Sequence, residues 1–236
     1  MQGWYASDLG QYVLGREMAW FDEVSVDLFG FNALQMGECD MPFLRANRMP
    51  QRYCADRQGG CPRCVPEHLP FAGQSLDLLV LPHVLEFTHH PHQVLREAER
   101  VLRPEGHLLI AGFNPLSLWG LRRRLGDPGA EGPWHGRFIK LARLKDWLAL
   151  LGFELAAGRM ACYAPPLNRR HWLERFGCLE AAGDRWWALG GGIYLIHAIK
   201  RVHGMRLIAP KWEGAWQTRP AWAQSTRAAS QRNPAP

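Results

Sequence analysis

The chain has 236 residues, 47% of them hydrophobic, with 28 Lys and Arg against 22 Asp and Glu, a formal net charge of +6. That apolar content excludes a disordered chain, and no apolar run reaches the ~20 residues that cross a bilayer. From Arg201 onward six Lys and Arg face Glu213 alone, so the first 200 residues hold 22 basic against 21 acidic residues. The body is near neutral and the basic pI belongs to the tail, which argues against a nucleic-acid-binding face on the body. The first residues lack a basic segment followed by a long apolar core, so no signal peptide is expected and the cytoplasm is the default location.

In chain order, Leu9, Tyr12, Val13, Met18, Phe21, Val24 and Leu28 recur at roughly helical spacing, which predicts a helix over 9–29 stopped by Gly30. Residues 31–37 read as a strand, 41–47 as a short helix bounded by Pro42 and Pro50, and 51–55 as a second strand. Asp56 follows at its end, and 57–66 is a loop rich in Gly, Cys and Pro. The six cysteines are Cys39, Cys54, Cys61, Cys64, Cys162 and Cys178. Cys61 and Cys64 have zinc-knuckle spacing, with Cys54 and His68 as further ligand candidates. With no second CxxC, reduced thiols in a loop are the preferred reading.

The runs 76–81 and 107–113 are short and continuously apolar, as in strands buried on both faces of a parallel sheet. Between them Val94, Leu95, Ala98, Val101 and Leu102 fall on one helical stripe, with Arg96, Glu97, Glu99, Arg100 and Arg103 facing out. Pro91 suits the first helical turn and 104–106 a turn at the end. Strand, helix and strand at this length form one βαβ unit. His83 stands at the carboxyl end of the first of these strands, where ligands sit in open α/β sheets; it reads as a partly buried histidine hydrogen-bonded to backbone or, alternatively, as one placed to accept or shuttle a proton. His89, His90 and His92 flank Pro91 and read as a solvated loop rather than a metal tract.

Arg122, Arg123 and Arg124 read as a solvated helix face or, alternatively, a phosphate site. A loop over 126–136, a helix over 141–151 capped by Gly152, a strand over 153–157, a helix over 168–182 and a long strand over 193–201 follow. From 203 the chain reads as disordered, with Trp212, Trp216 and Trp222 among its few cations.

Leu69–Phe71, Leu76–Val80, His83–Phe87 and Leu102–Gly106 together resemble, in order and spacing, the type 11 form of the class I S-adenosylmethionine (SAM)-dependent methyltransferase domain. Gly112–Leu125 resembles a bacterial subgroup of small methyltransferase-like proteins. The resemblance implies a single Rossmann-like α/β domain over 31–202 with helices on both faces. Its sheet would be mostly parallel and seven-stranded, with a final antiparallel strand. A helical extension over 1–30 would precede it and a basic tail over 203–236 would follow. It implies SAM as cofactor, with Gln35, Met36, Gly37, Asp56, Leu69, Pro82 and His83 as binding residues. Asn114 and Trp119 are candidate acceptor contacts, with a core anchor the preferred reading of Trp119.

Gly37 matches the first glycine of the family's loop, but Cys39 and Met41 replace the other two, Gln35 replaces its acid, and Val65 and Pro66 replace an acid–small pair. The pocket is therefore expected between 35–38 and 81–83, roofed by the 9–29 helix and the 112–119 loop, and narrow at its methionine end. The expected activity is methyl transfer to an unidentified small or macromolecular acceptor. The alternative is a methyltransferase-like binding or scaffold protein.

Overall fold

The computed structural model describes residues 2–57, 60–126, 132–176 and 190–202. The strands are β1 Asn32–Met36, β2 Gln51–Ala55, β3 Gly60–Cys61, β4 Leu76–Pro82, β5 Leu102–Phe113, β6 Phe153–Ala161 and β7 Ile193–Lys200. The helices are α1 Gln2–Tyr5, α2 Asp8–Ser25, α3 Pro91–Val101, α4 Leu118–Leu125, α5 Leu141–Leu150 and α6 Arg170–Arg175. The strands form one sheet in the order β3-β2-β1-β4-β5-β7-β6. β2, β1, β4 and β5 are mutually parallel, and β7 inserts antiparallel between β5 and β6. Six strands carry the sheet. The seventh, β3, is a two-residue antiparallel edge piece within the segment expected to be a plain loop.

Alternation along the central strands sets the layers. Leu78 and Val80 of β4, with Leu109 and Ala111 of β5, face a core that includes Val13 and Phe21 of α2 and Trp119 of α4. Leu79, Leu81, Leu108 and Ile110 face the opposite core with Val94, Leu95 and Ala98 of α3 and Leu144 and Leu148 of α5. Each such Val, Leu, Ile or Phe side chain contributes about 1.5–3 kcal/mol when fully buried. Both faces are covered, which is why these strands read as apolar runs without alternation. β5 begins earlier than its apolar run: Leu102 pairs with Leu76, and the register then shifts so that His107 pairs with Leu78. Residues 103–106 are extra chain bulged out of the ladder, with Glu105 in the left-handed region.

The short helix expected over 41–47 does not form; turns connect β1 to β2. Pro42 lacks an N–H, and the Gln35 side chain accepts from the Phe43 N–H at 3.1 Å, so this stretch is held by side-chain bonds instead of a helical ladder. Asn47 secures its far end by donating to the Ser25 and Leu28 carbonyls. The helix expected over 168–182 is described only as α6, and the tail expected over 203–236 lies outside the described residues.

Candidate functional site

β1 is the strand from which the sheet extends in both directions, so the crevice lies beyond the carboxyl ends of β1 and β4. One wall is Gly37, with φ +82°, followed by Glu38 with φ +48°. The other is Pro82 and His83, the latter with φ +52°. Non-glycine residues in the left-handed region on both walls mark a backbone held against local preference by its surroundings. The Gly37 N–H donates to the Ala55 carbonyl at 2.7 Å and ties this turn to the end of β2. A cavity of about 120 Å³ opens here, lined by Met36, Gly37, Asp56, Pro82, His83 and Phe87 among others.

Five of the seven residues expected to hold the cofactor therefore share one cavity: Met36, Gly37, Asp56, Pro82 and His83. Gln35 does not join them. It is buried, and its amide donates to the carbonyls of Gly37, Glu38 and Met41 at 3.1, 3.0 and 2.8 Å. It is a strut inside the loop. Leu69 does not join them either, being buried in the core below while its N–H donates to Glu97 Oε1 at 3.0 Å.

Of the candidate acceptor contacts, Asn114 is held by backbone groups and Trp119 is the core anchor of the preferred reading. Asn114 Nδ2 donates to the Gly191 carbonyl and its Oδ1 accepts from the Leu116 N–H. Trp119 is fully buried, donates to the Ala164 carbonyl and stacks against Phe113 and Trp134. Both fix loops beside the crevice. The arginine triplet is also structural in part. Arg122 donates to the Pro166 carbonyl and lies over the Trp134 ring, and Arg123 donates to the Trp134 carbonyl.

Behind the crevice lies a buried ionic cluster whose partner from α2 the sequence reading passed over. His83 Nε2 meets Glu17 Oε1, and its Nδ1 lies 3.3 Å from Glu86 Oε1. Glu17 Oε2 accepts from the Tyr5 hydroxyl at 3.3 Å, and Glu86 Oε1 from the Phe113 N–H at 2.6 Å. His83, Glu17 and Glu86 are all buried. Desolvation pulls the His83 pKa down, but the two carboxylates outweigh it and push it up to about 10. His83 is thus an imidazolium at neutral pH and donates from both nitrogens. The direction of that shift argues against a proton-accepting role; His83 is the buried histidine of the alternative reading, with carboxylates rather than backbone as its partners. Glu86 Oε2 and the Tyr194 hydroxyl are buried without a hydrogen-bond partner among the described residues. The signal for Glu17 was present: it falls four residues after Val13 and four before Phe21, a carboxylate on the apolar stripe of its helix.

Cys54, grouped above with the thiols of the 57–66 loop, instead forms a disulfide with Cys39 that ties the loop after β1 to β2. The parallel register explains the proximity: Gln35 pairs with Cys54, so the end of β2 lies beside that loop. Cys64 is a free thiol, its Sγ 4.0 Å from Met36 Sδ, and burial pushes its pKa up. Among the described residues no group of three or more His, Cys, Asp and Glu is placed to hold a metal ion.

One end of this site has groups of the kind SAM calls for: the Asp56 carboxylate and the Gly37 turn line the cavity, as a ribose and a close backbone approach require. The other end is closed. No helix N-terminus follows β1, Gln35 is engaged within the loop, and about 120 Å³ is well below the roughly 300–1,000 Å³ of small-molecule pockets.

A family model described as a methyltransferase domain matches residues 51–110. An uncharacterised protein of Mycobacterium tuberculosis H37Rv, Rv2003c, is 30% identical over 214 residues, covering 85% of this chain and 71% of that protein. The Escherichia coli K12 protein YafS is 36% identical over 148 residues, and the match spans 58% of this chain but only 56% of YafS. A solved SAM-dependent methyltransferase from Thermotoga maritima superposes with a TM-score of 0.57 at 15% identity, covering 80% of this chain and 93% of that one. One from Archaeoglobus fulgidus gives 0.56, also at 15% identity, covering 79% and 94%. The strand order, the glycine turn at the β1–β4 crevice and these matches agree: the chain belongs to the class I SAM-dependent methyltransferase family, whose expected cofactor is S-adenosyl-L-methionine.

Proposed function

We propose that this protein is a SAM-dependent methyltransferase whose cofactor enters the β1–β4 crevice as the loop over 37–41 opens. The observation that carries this reading is the convergence of Gly37, Asp56 and His83 on one cavity at the sheet's switch point. When bound, the cofactor supplies an electrophilic methyl group on a sulfonium. The protein's own work is then placement and charge. Gly37 lets the backbone approach the ligand, and the Asp56 carboxylate accepts hydrogen bonds from a vicinal diol. The His83 imidazolium, fixed between Glu17 and Glu86, keeps the floor of the crevice rigid. With His83 already protonated, no general base is assigned, and alignment of acceptor and methyl group carries the rate.

Calorimetry with SAM and S-adenosylhomocysteine tests this. Saturable binding that weakens at least about tenfold in Asp56→Ala, roughly 1.4 kcal/mol, supports the proposal. Absence of binding at about 1 mM ligand, under both oxidising and reducing conditions, overturns it.

A further inference from the structure

A second and larger cavity, about 1160 Å³, opens between the first turns of α3 and α5. It is lined by Arg96 of α3, Arg143 of α5, and Arg137 and Lys140 from the segment before α5. All four are exposed, and no described carboxylate forms an ion pair with any of them. The described lining contains no Asp or Glu. The N-caps of both helices, His90 and Lys140, make no side-chain capping bond, and both line this cavity. The positive ends of two helices and four cations therefore face one space. The His92 ring lies 3.7 Å from that of Trp147, one turn before Arg96 and one turn after Arg143, which holds the two arginine-bearing faces together.

The floor connects to the crevice. Phe138 stacks on Phe113 with centroids 5.0 Å apart, Phe113 stacks on His83 at 4.2 Å, and the Arg137 N–H donates to the Glu86 carbonyl at 2.8 Å.

We propose that this cavity binds a small molecule bearing two or more phosphate groups. Three guanidinium forks and an ammonium suit phosphate oxygens, and two helix N-termini without side-chain caps add to the same field. At about 1160 Å³ the concave site lies slightly above the roughly 300–1,000 Å³ of small-molecule pockets, which leaves room for a small ligand with several charged groups. The near-neutral body, 22 basic against 21 acidic residues over the first 200, supplies no extended field of the kind that tracks a nucleic-acid backbone. The proposal is independent of the methyl-transfer reading.

The test uses the full chain with tripolyphosphate as probe, followed by calorimetry at constant ionic strength. The expected result is saturable binding that drops at least about tenfold in the double variant Arg96→Glu, Arg143→Glu, with SAM affinity unchanged. Because Arg143 also lies near the Trp147 ring, the milder pair Arg96→Gln, Lys140→Gln serves as a second variant and should weaken binding in the same direction. No saturation at about 10 mM probe overturns the proposal, as does binding that both variants leave intact or that equimolar sulfate displaces equally well. Tight binding to a mixed-sequence RNA that exceeds the probe's, and is lost in the same variants, would overturn it in favour of a nucleic-acid surface.

Discussion

The β1–β2 and β4–β5 connections both join neighbouring parallel strands, yet only the second contains a helix. In the β4–β5 connection, an apolar stripe at helical spacing had a sheet face to cover, and α3 formed where the pattern placed it. In the β1–β2 connection, the chain over 37–50 is held by Gln35, Asn47 and the Cys39–Cys54 disulfide. The wall built by β4 is rigid because an ionic cluster lies beneath it. The wall built by β1 is closed by a loop whose restraints can be undone singly. The comparison teaches that a family's sheet can persist while the loop that receives its cofactor is rebuilt from different interactions.

The largest effect is expected on the β4 wall. His83→Ala leaves Glu17 and Glu86 buried without their counter-charge and should cost about 3–5 kcal/mol in urea unfolding. The same cluster sets a pH dependence. A pKa raised from 6.5 to about 10 means that the stabilisation from protonated His83 is fully present below pH 6.5. It is lost as pH rises towards about 10. The urea midpoint should fall across that window in the parent and much less in His83→Gln; equal slopes would remove the ionic account.

On the β1 wall, reduction of the Cys39–Cys54 disulfide, which spans 15 residues, should cost about 3 kcal/mol or less. Because it also frees the loop, SAM affinity should rise on reduction. An affinity that falls instead would mean that the tethered loop is the binding-competent form. A Cys39→Gly, Met41→Gly variant should likewise bind SAM at least as well as the parent, measured by calorimetry.

The smallest effect is expected at the turn itself. In Gly37→Ala the new Cβ meets only Val84 Cγ2, at an ordinary 3.5 Å, so the cost is backbone strain at φ +82°, about 1–2 kcal/mol. A loss well above that in thermal unfolding would show that packing, not conformation, restricts this position.

Much of this was legible before the fold was known. The runs in β4 and β5, the stripe of α3, and Gly37 with Asp56 after neighbouring strands are local patterns, and local patterns survive folding when each has a face to bury. Leu69 and Asn114 do not line the crevice, because a motif position does not say whether a side chain points into a crevice or into the core; Trp119 was legible as a core anchor only as one of two readings. Gln35 was placed correctly in the chain, but its amide turned inward to the loop it supports.

The sequence by itself determined the central strands β1, β2 and β4, the helices α2, α3 and α5, and five residues that line the crevice, because hydrophobic period and turn chemistry act over a few residues. Tertiary structure alone decided the partners of buried charge and sulfur. Glu17 reaches His83 across 66 positions, and Cys39 reaches Cys54 because parallel pairing sets β2 beside β1. Arg96 and Arg143 share a cavity because α3 and α5 cover the same face of the sheet. Such groups are joined by packing geometry, and packing geometry leaves no periodic trace in the order of residues.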